Sequence, residues 1–203
     1  MLDSGFWSAV ATGIFSVVVA LGSIWVKHFL DSSANMRKKE EEESVTHQDV
    51  ESMMEIQEFL DGVIEDHGFD RGSIHQFHNG GKFFNGVAMK KYSLTFESTA
   101  PGIAKVKHTN QNIFVTEHPS LMKNLNENDI FYVESDNPAL DYIRDRIEEQ
   151  GILQIISIPM RSLNGSMLGF IQFFTIKKSI EFTPEMSSEL IAASQRISGY
   201  LHS

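Results

Sequence analysis

Residues 6–26, "FWSAVATGIFSVVVALGSIWV", run for 21 positions without a charged side chain. No other feature narrows the chain's options so much: as a helix this run covers about 30 Å, the thickness of a bilayer's hydrocarbon core. Trp7 and Trp25 stand near its two ends, where indole rings favour the headgroup interface. A core helix of this length would be interrupted by polar positions. A cleaved signal peptide would carry a basic residue ahead of the apolar run, where only Asp3 stands. The pattern predicts a retained transmembrane helix over 6–26 in contact with membrane lipid, with residues 1–5 outside. Lys27, Arg37, Lys38 and Lys39 all follow the span, so the positive-inside rule puts the rest of the chain on the cytoplasmic side of the plasma (inner) membrane. Gly5, Ala9 and Gly13 fall on one face of that helix. They form either a face for helix dimerisation or the ordinary scatter of small residues in membrane helices.

The remainder is large enough for one globular domain. The 203 residues are 41% hydrophobic and 22% charged, with a formal net charge of −10. Such acidity repels phosphate backbones and argues against a nucleic-acid partner. The sequence has no cysteine, which removes disulfides, thiolate metal sites, cysteine nucleophiles and thioether-linked chromophores.

Residues 27–47 read as a charged helical linker ahead of a domain at 48–203, with helix formers continuing from Arg37 to His67. Met53, Ile56, Leu60 and Val63 make an apolar seam, a short coiled coil or, for Leu60 to Ile64, a face that packs on the domain's own sheet. Gly68 supplies a stop. "GSIHQFHNG" predicts a short strand ending in a tight Asn79-Gly80 turn. "VAMKKYSLTFEST" predicts a second strand with Ala88, Tyr92, Leu94 and Phe96 on its apolar side. Residues 103–128 are mixed and polar, fitting short helices and loops, and "IFYVES" is a short strand. "NPALDYIRDRIEEQG" predicts one helix capped by Asn137 and ended at Gly151. "ILQIISIPM" and "SMLGFIQFFTI" are apolar strands joined through Asn164-Gly165, and Thr183-Pro184 opens a last helix. The expected fold is an α+β domain, an antiparallel sheet flanked by helices.

Ile158-Pro159-Met160, Gly165, Leu168-Gly169-Phe170 and the helix after Pro184 resemble the second half of a GAF domain. The likeness reaches over residues 48–203 by element order and over about the last fifty by motif. The resemblance implies a sensory or regulatory module that works through dimerisation or a partner protein. Its small-molecule pocket would lie between one sheet face and residues 103–128. Reductase activity and covalent bilin attachment, found in some GAF domains, both require cysteine. The Asn-Lys-Phe-Asp-Glu pattern of cyclic-nucleotide-binding members is missing. A second resemblance is to the large single-span holins of T-even-type phages, carried by the order of span, charged helix and α+β domain and by the tail with "AASQRI". It implies a phage lysis protein that forms membrane lesions during host lysis and is regulated through its soluble domain. Those holins carry a longer basic N-terminus and a periplasmic domain, whereas the cations here follow the span.

"HQFHNGGKFFNG", residues 75–86, gathers the remaining candidates. Strand alternation sets Ile74, Gln76 and His78 on one side and His75 and Phe77 on the other, so the two histidines point apart and no metal site is expected. The stretch is either a hydrogen-bonded turn or the lip of a ligand pocket or partner surface, with His78, Asn79, Phe84 and Asn85 as contacts. Tyr92, Glu97 and His118 are the other candidate binding residues. Asp141, Asp145, Glu148 and Glu149 fit a solvated helix face. No nucleophile–base order, phosphate-cradling glycine loop or buried carboxylate pair stands out. The expectation is a binding module without enzymatic activity, without a resident cofactor, and with a small-molecule ligand or a regulatory protein as partner.

Overall fold

The runs "QIISIPMR" and "MLGFIQFFT" are apolar at both alternating sets of positions, so a sheet built on them needs cover on each face. In the computed structural model of the chain, which describes residues 47–82 and 88–201 together with Lys27, they are neighbouring strands inside such a sheet. The elements are α1 (His47–His67), β1 (Arg71–Lys82), β2 (Ala88–Thr99), β3 (Ile113–Phe114), α2 (Pro119–Glu127), β4 (Phe131–Glu134), α3 (Arg144–Gln150), β5 (Gln154–Arg161), β6 (Met167–Thr175) and α4 (Pro184–Tyr200). Short 3-10 segments lie at Lys107–Thr109, Val115–Glu117 and Pro138–Ile143. The six strands run in the order β3-β2-β1-β6-β5-β4, and every neighbouring pair is antiparallel. This is the expected α+β arrangement. It lies in the compact unit Gln48–Ser203, one of two into which the chain divides.

Helices α1 and α4 cover one face. Ile56, Leu60, Val63 and Ile64, spaced three and four apart, pack with Leu190 and Ile197 of α4 over Ile74, Ile156, Ile158 and Phe173. The α1 seam therefore belongs to the domain core from Ile56 onward, while Met53 is 48% exposed. Helix and sheet approach closely at Gly72, where an added Cβ would sit 3.0 Å from both Leu60 and Phe173 side-chain atoms. Helix α4 starts as its sequence predicts: Thr183 Oγ1 accepts the Met186 N–H at 3.2 Å, and Pro184 occupies the first turn.

The other face carries two smaller clusters. Val133, Leu140, Ile147, Ile152, Ile155 and Phe174 form one beneath α3. Tyr92, Ile113, Leu121, Leu125 and Phe170 form the second beneath α2. The section at 103–128 is short helices and connecting segments, as expected, and also contributes the edge strand β3 (Ile113–Phe114).

Three local expectations change. Strand β1 does not turn at Asn79-Gly80: Asn79 pairs with Lys90 and Lys82 with Ala88, and the irregularity between them is absorbed by Gly81 at φ 101°. Phe96 does not share a face with Leu94. The ladder pairs Ile74 with Phe96 and His75 with Leu94, so Thr95 is an extra residue that sends Phe96 to the α1 side. The helix expected over 138–150 is broken at Ile143 (φ −128°, ψ 20°) into a 3-10 segment and α3, which Gly151 closes at φ 64°. The span 6–26, its Gly5, Ala9 and Gly13 face, most of the 27–47 linker, Phe84 and Asn85 lie outside the described residues. Among those described, no helix is long and apolar enough to cross a membrane.

Candidate functional site

Strand β1 begins with three polar residues two apart, Arg71, Ser73 and His75, and alternation puts them on one face. That face is turned away from α1 and α4, toward residues 104–118 and α3. There the three line a cavity of about 50 Å³ together with Tyr92, His118 and Arg146. Leu94, Leu121, Ile143, Ile152 and Phe174 supply its apolar walls.

His75 is the most constrained group in it. The ring is 5% exposed and stacks on Phe170, with centroids 4.6 Å apart and planes at 10°. Tyr92 meets it edge-on at 5.6 Å. Beside it the β1 and β6 backbones approach so closely at Gly169 that an added Cβ there would fall 2.0 Å from the His75 carbonyl oxygen. His75 Nε2 lies 3.1 Å from Ser73 Oγ, which donates to the Gln172 carbonyl at 3.3 Å. His75 Nδ1 is buried with no partner. Burial, and then the Arg146 charge and His118, push its pKa from 6.5 down to about 3, so the ring is neutral. His118, which precedes α2, has its Nδ1 hydrogen-bonded to the Tyr92 hydroxyl. Burial, followed by Arg146, lowers its pKa as well, against an opposing pull from Glu117.

Two arginines flank the histidines. Arg71 donates to Gln150 Oε1 at 2.6 Å and to the Ala104 carbonyl at 2.9 Å, and its Nε is 3.5 Å from Glu97 Oε1. Burial lowers the Arg71 pKa, and Glu97 partly restores it. Arg146 donates to Asn110 Oδ1 at 2.7 Å. Glu97 also accepts the backbone N–H groups of Val106 (2.8 Å) and Lys107 (2.9 Å), and Asn110 bonds back to the Val106 carbonyl at 2.9 Å. One buried carboxylate thus fixes both an arginine and the segment that roofs the cavity. Farther along the same face, Phe77, Met122 and Met167 floor an open groove of about 440 Å³ rimmed by Lys90 and Lys123.

Of the residues singled out from sequence, Tyr92 and His118 meet in the cavity. Glu97 is buried beside it and engaged with Arg71 and the roof. His78 is on the opposite face of β1 from His75 and hydrogen-bonds Ser93 at 2.9 Å, outside the cavity lining, and Asn79 is exposed. Sequence reasoning passed over Arg71, Ser73, Arg146 and Gln150. The signal for the first two was there: three polar residues at alternate positions opening a strand whose other face is core. Arg146 and Gln150, four apart, share one face of α3 and carry a similar, fainter mark.

By sequence, no family model and no curated protein matches this chain. Solved structures do match in shape. The GAF domain of PixJ from Thermosynechococcus elongatus, in its blue-light absorbing form, superimposes with a TM-score of 0.59 at 12% identity, over 78% of this chain and 89% of that one. The GAF domain region of a putative membrane protein from Geobacter sulfurreducens PCA gives 0.57 at 13% identity, over 76% and 95%. The chromophore-binding domain of Stigmatella aurantiaca bacteriophytochrome gives 0.54 at 13%, over 77% and 59%. At these identities the likeness is one of fold: the six-stranded sheet and its helices are GAF-like.

Proposed function

We propose that this protein is a sensory module whose GAF-like domain binds a small molecule in the cavity between β1, β2, β6 and α3. The observation that carries the reading is a cavity of mixed polar and apolar lining in which one imidazole, His75, has a buried, unpartnered nitrogen. A fold without a ligand to hold gains nothing from an unsatisfied buried nitrogen, which costs about 1–3 kcal/mol. The GAF neighbours, chromophore-binding domains among them, support a ligand-binding role. A bilin does not suit the cavity. Covalent attachment lacks its cysteine, and about 50 Å³ is far below the roughly 300–1,000 Å³ of pockets for drug-sized ligands.

In this reading residues 6–26 anchor the module in the plasma membrane with the domain in the cytoplasm, and the signal leaves by dimerisation or through a partner protein. The module performs no catalysis. The neighbours above are GAF domains and lend nothing to a holin role. The test is thermal unfolding of wild type and Leu121→Phe, which fills the cavity wall, against a panel of small metabolites. A ligand at 100 times its dissociation constant stabilises by about 2.7 kcal/mol, a rise of several degrees, in wild type and not in the filled variant. No stabilising compound, or equal stabilisation of both proteins, would remove the proposal.

A further inference from the structure

We infer that the cavity's ligand is a compact monoanion that carries its own hydroxyl group, a short 2-hydroxy acid or hydrogencarbonate being the simplest members. The inference rests on the binding-module reading above and narrows it by size, charge and hydrogen-bonding sense.

Size comes first. A water-sized centre needs about 10–15 Å³, so a cavity of about 50 Å³ holds roughly three to five non-hydrogen atoms. A ligand enclosed within it is therefore much smaller than a nucleotide or an aromatic metabolite. Charge comes second. Arg71 is matched by Glu97 across 3.5 Å. Arg146 donates to the neutral Asn110, and among the described residues no carboxylate forms an ion pair with it. Arg146 therefore brings to the lining a guanidinium with no carboxylate ion-paired to it, and a single negative charge suits it.

The third requirement separates this site from a plain anion hole. Ser73 gives its hydroxyl proton to the Gln172 carbonyl, so its oxygen accepts from His75 Nε2–H. That assignment leaves His75 Nδ1 as a bare acceptor, and it has no donor. Acetate or nitrate would satisfy Arg146 and leave Nδ1 empty. Glycolate or hydrogencarbonate brings an oxyanion for Arg146 and an O–H for His75 in one molecule of four or five non-hydrogen atoms.

Calorimetric titration of the full-length protein decides the matter with four probes: glycolate, hydrogencarbonate, acetate and the uncharged glycolamide. Glycolate or hydrogencarbonate is expected to bind at least tenfold tighter than acetate, and glycolamide to bind negligibly. Arg146→Gln is expected to weaken the hydroxylated anion at least tenfold. His75→Phe, which preserves a ring on Phe170, is expected to bring glycolate down to the affinity of acetate. Should Arg146→Gln fail to fold, the His75 ring resonances of the wild type give an independent readout, shifting with glycolate and not with glycolamide. Acetate binding as tightly as glycolate, or unchanged glycolate affinity in His75→Phe, overturns the inference. A neutral metabolite that occupies the cavity while all three anions stay silent overturns it and leaves the sensory reading standing. Silence of every small molecule overturns both.

Discussion

His75 holds the second face of the sheet in a definite protonation state, and that has a consequence for stability. Its folded pKa of about 3 lies below the ordinary 6.5, so below pH 6.5 the unfolded chain takes up a proton that the folded chain refuses. The His75 contribution to stability is complete above pH 6.5 and is lost progressively as the pH falls toward 3. One pKa unit is worth about 1.4 kcal/mol, so lowering the pH from 7 to 5 removes about 2 kcal/mol through this residue. Urea unfolding at the two pH values checks it. Wild type loses about 2 kcal/mol more than His75→Phe over that interval, and an identical loss in both proteins would show that the ring is not held neutral. His118, its pKa depressed by the same burial, adds in the same direction.

At the scale of elements, much was legible. β5 and β6, Asn164-Gly165 between them, the Thr183-Pro184 start of α4 and the closure of α3 at Gly151 each rest on local chemistry that a sequence displays. What escaped depends on partners distant along the chain. The bulge at Thr95 exists because β1 and β2 must place Phe96 under α1 and Leu94 over the cavity, and no local pattern encodes that switch. The cavity polar residues escaped because each was ordinary alone: Arg146 looked like one charge on an acidic helix, and only folding sets it beside His75 and His118. The resemblance to GAF domains implied a pocket against residues 103–128, and the cavity is lined in part by Val106, Asn110, His118 and Leu121 of that section. For α1 the structure makes a sharp distinction between neighbours on one helix. Leu60 is fully buried and Met53 about half exposed, so Leu60→Ala is expected to cost about 2–5 kcal/mol by chemical denaturation and Met53→Ala about 0.5 kcal/mol or less. Equal, small losses would mean that α1 is a stalk and not part of the core.

For the whole molecule, the described residues of 48–203 form the six-stranded sheet and pack apolar clusters on both of its faces. Residues 48–203 expressed alone are therefore expected to unfold in one cooperative transition, with a urea midpoint close to that of the full chain. The apolar run 6–26 is proposed as an anchor, so the full chain is expected to stay with membranes through alkaline carbonate extraction and the 48–203 fragment to leave them. Release of both would contradict the anchor without touching the domain. The proposed small molecule sits inside the GAF-like domain, between His75 and Arg146. A crystal structure of the protein grown with the best-stabilising compound tests it most directly. Ligand density is predicted within the cavity, in contact with His75 Nδ1 and the Arg146 guanidinium. A compound bound in the outer groove by Phe77 and Met167, or on the surface, with the cavity unchanged, would contradict it.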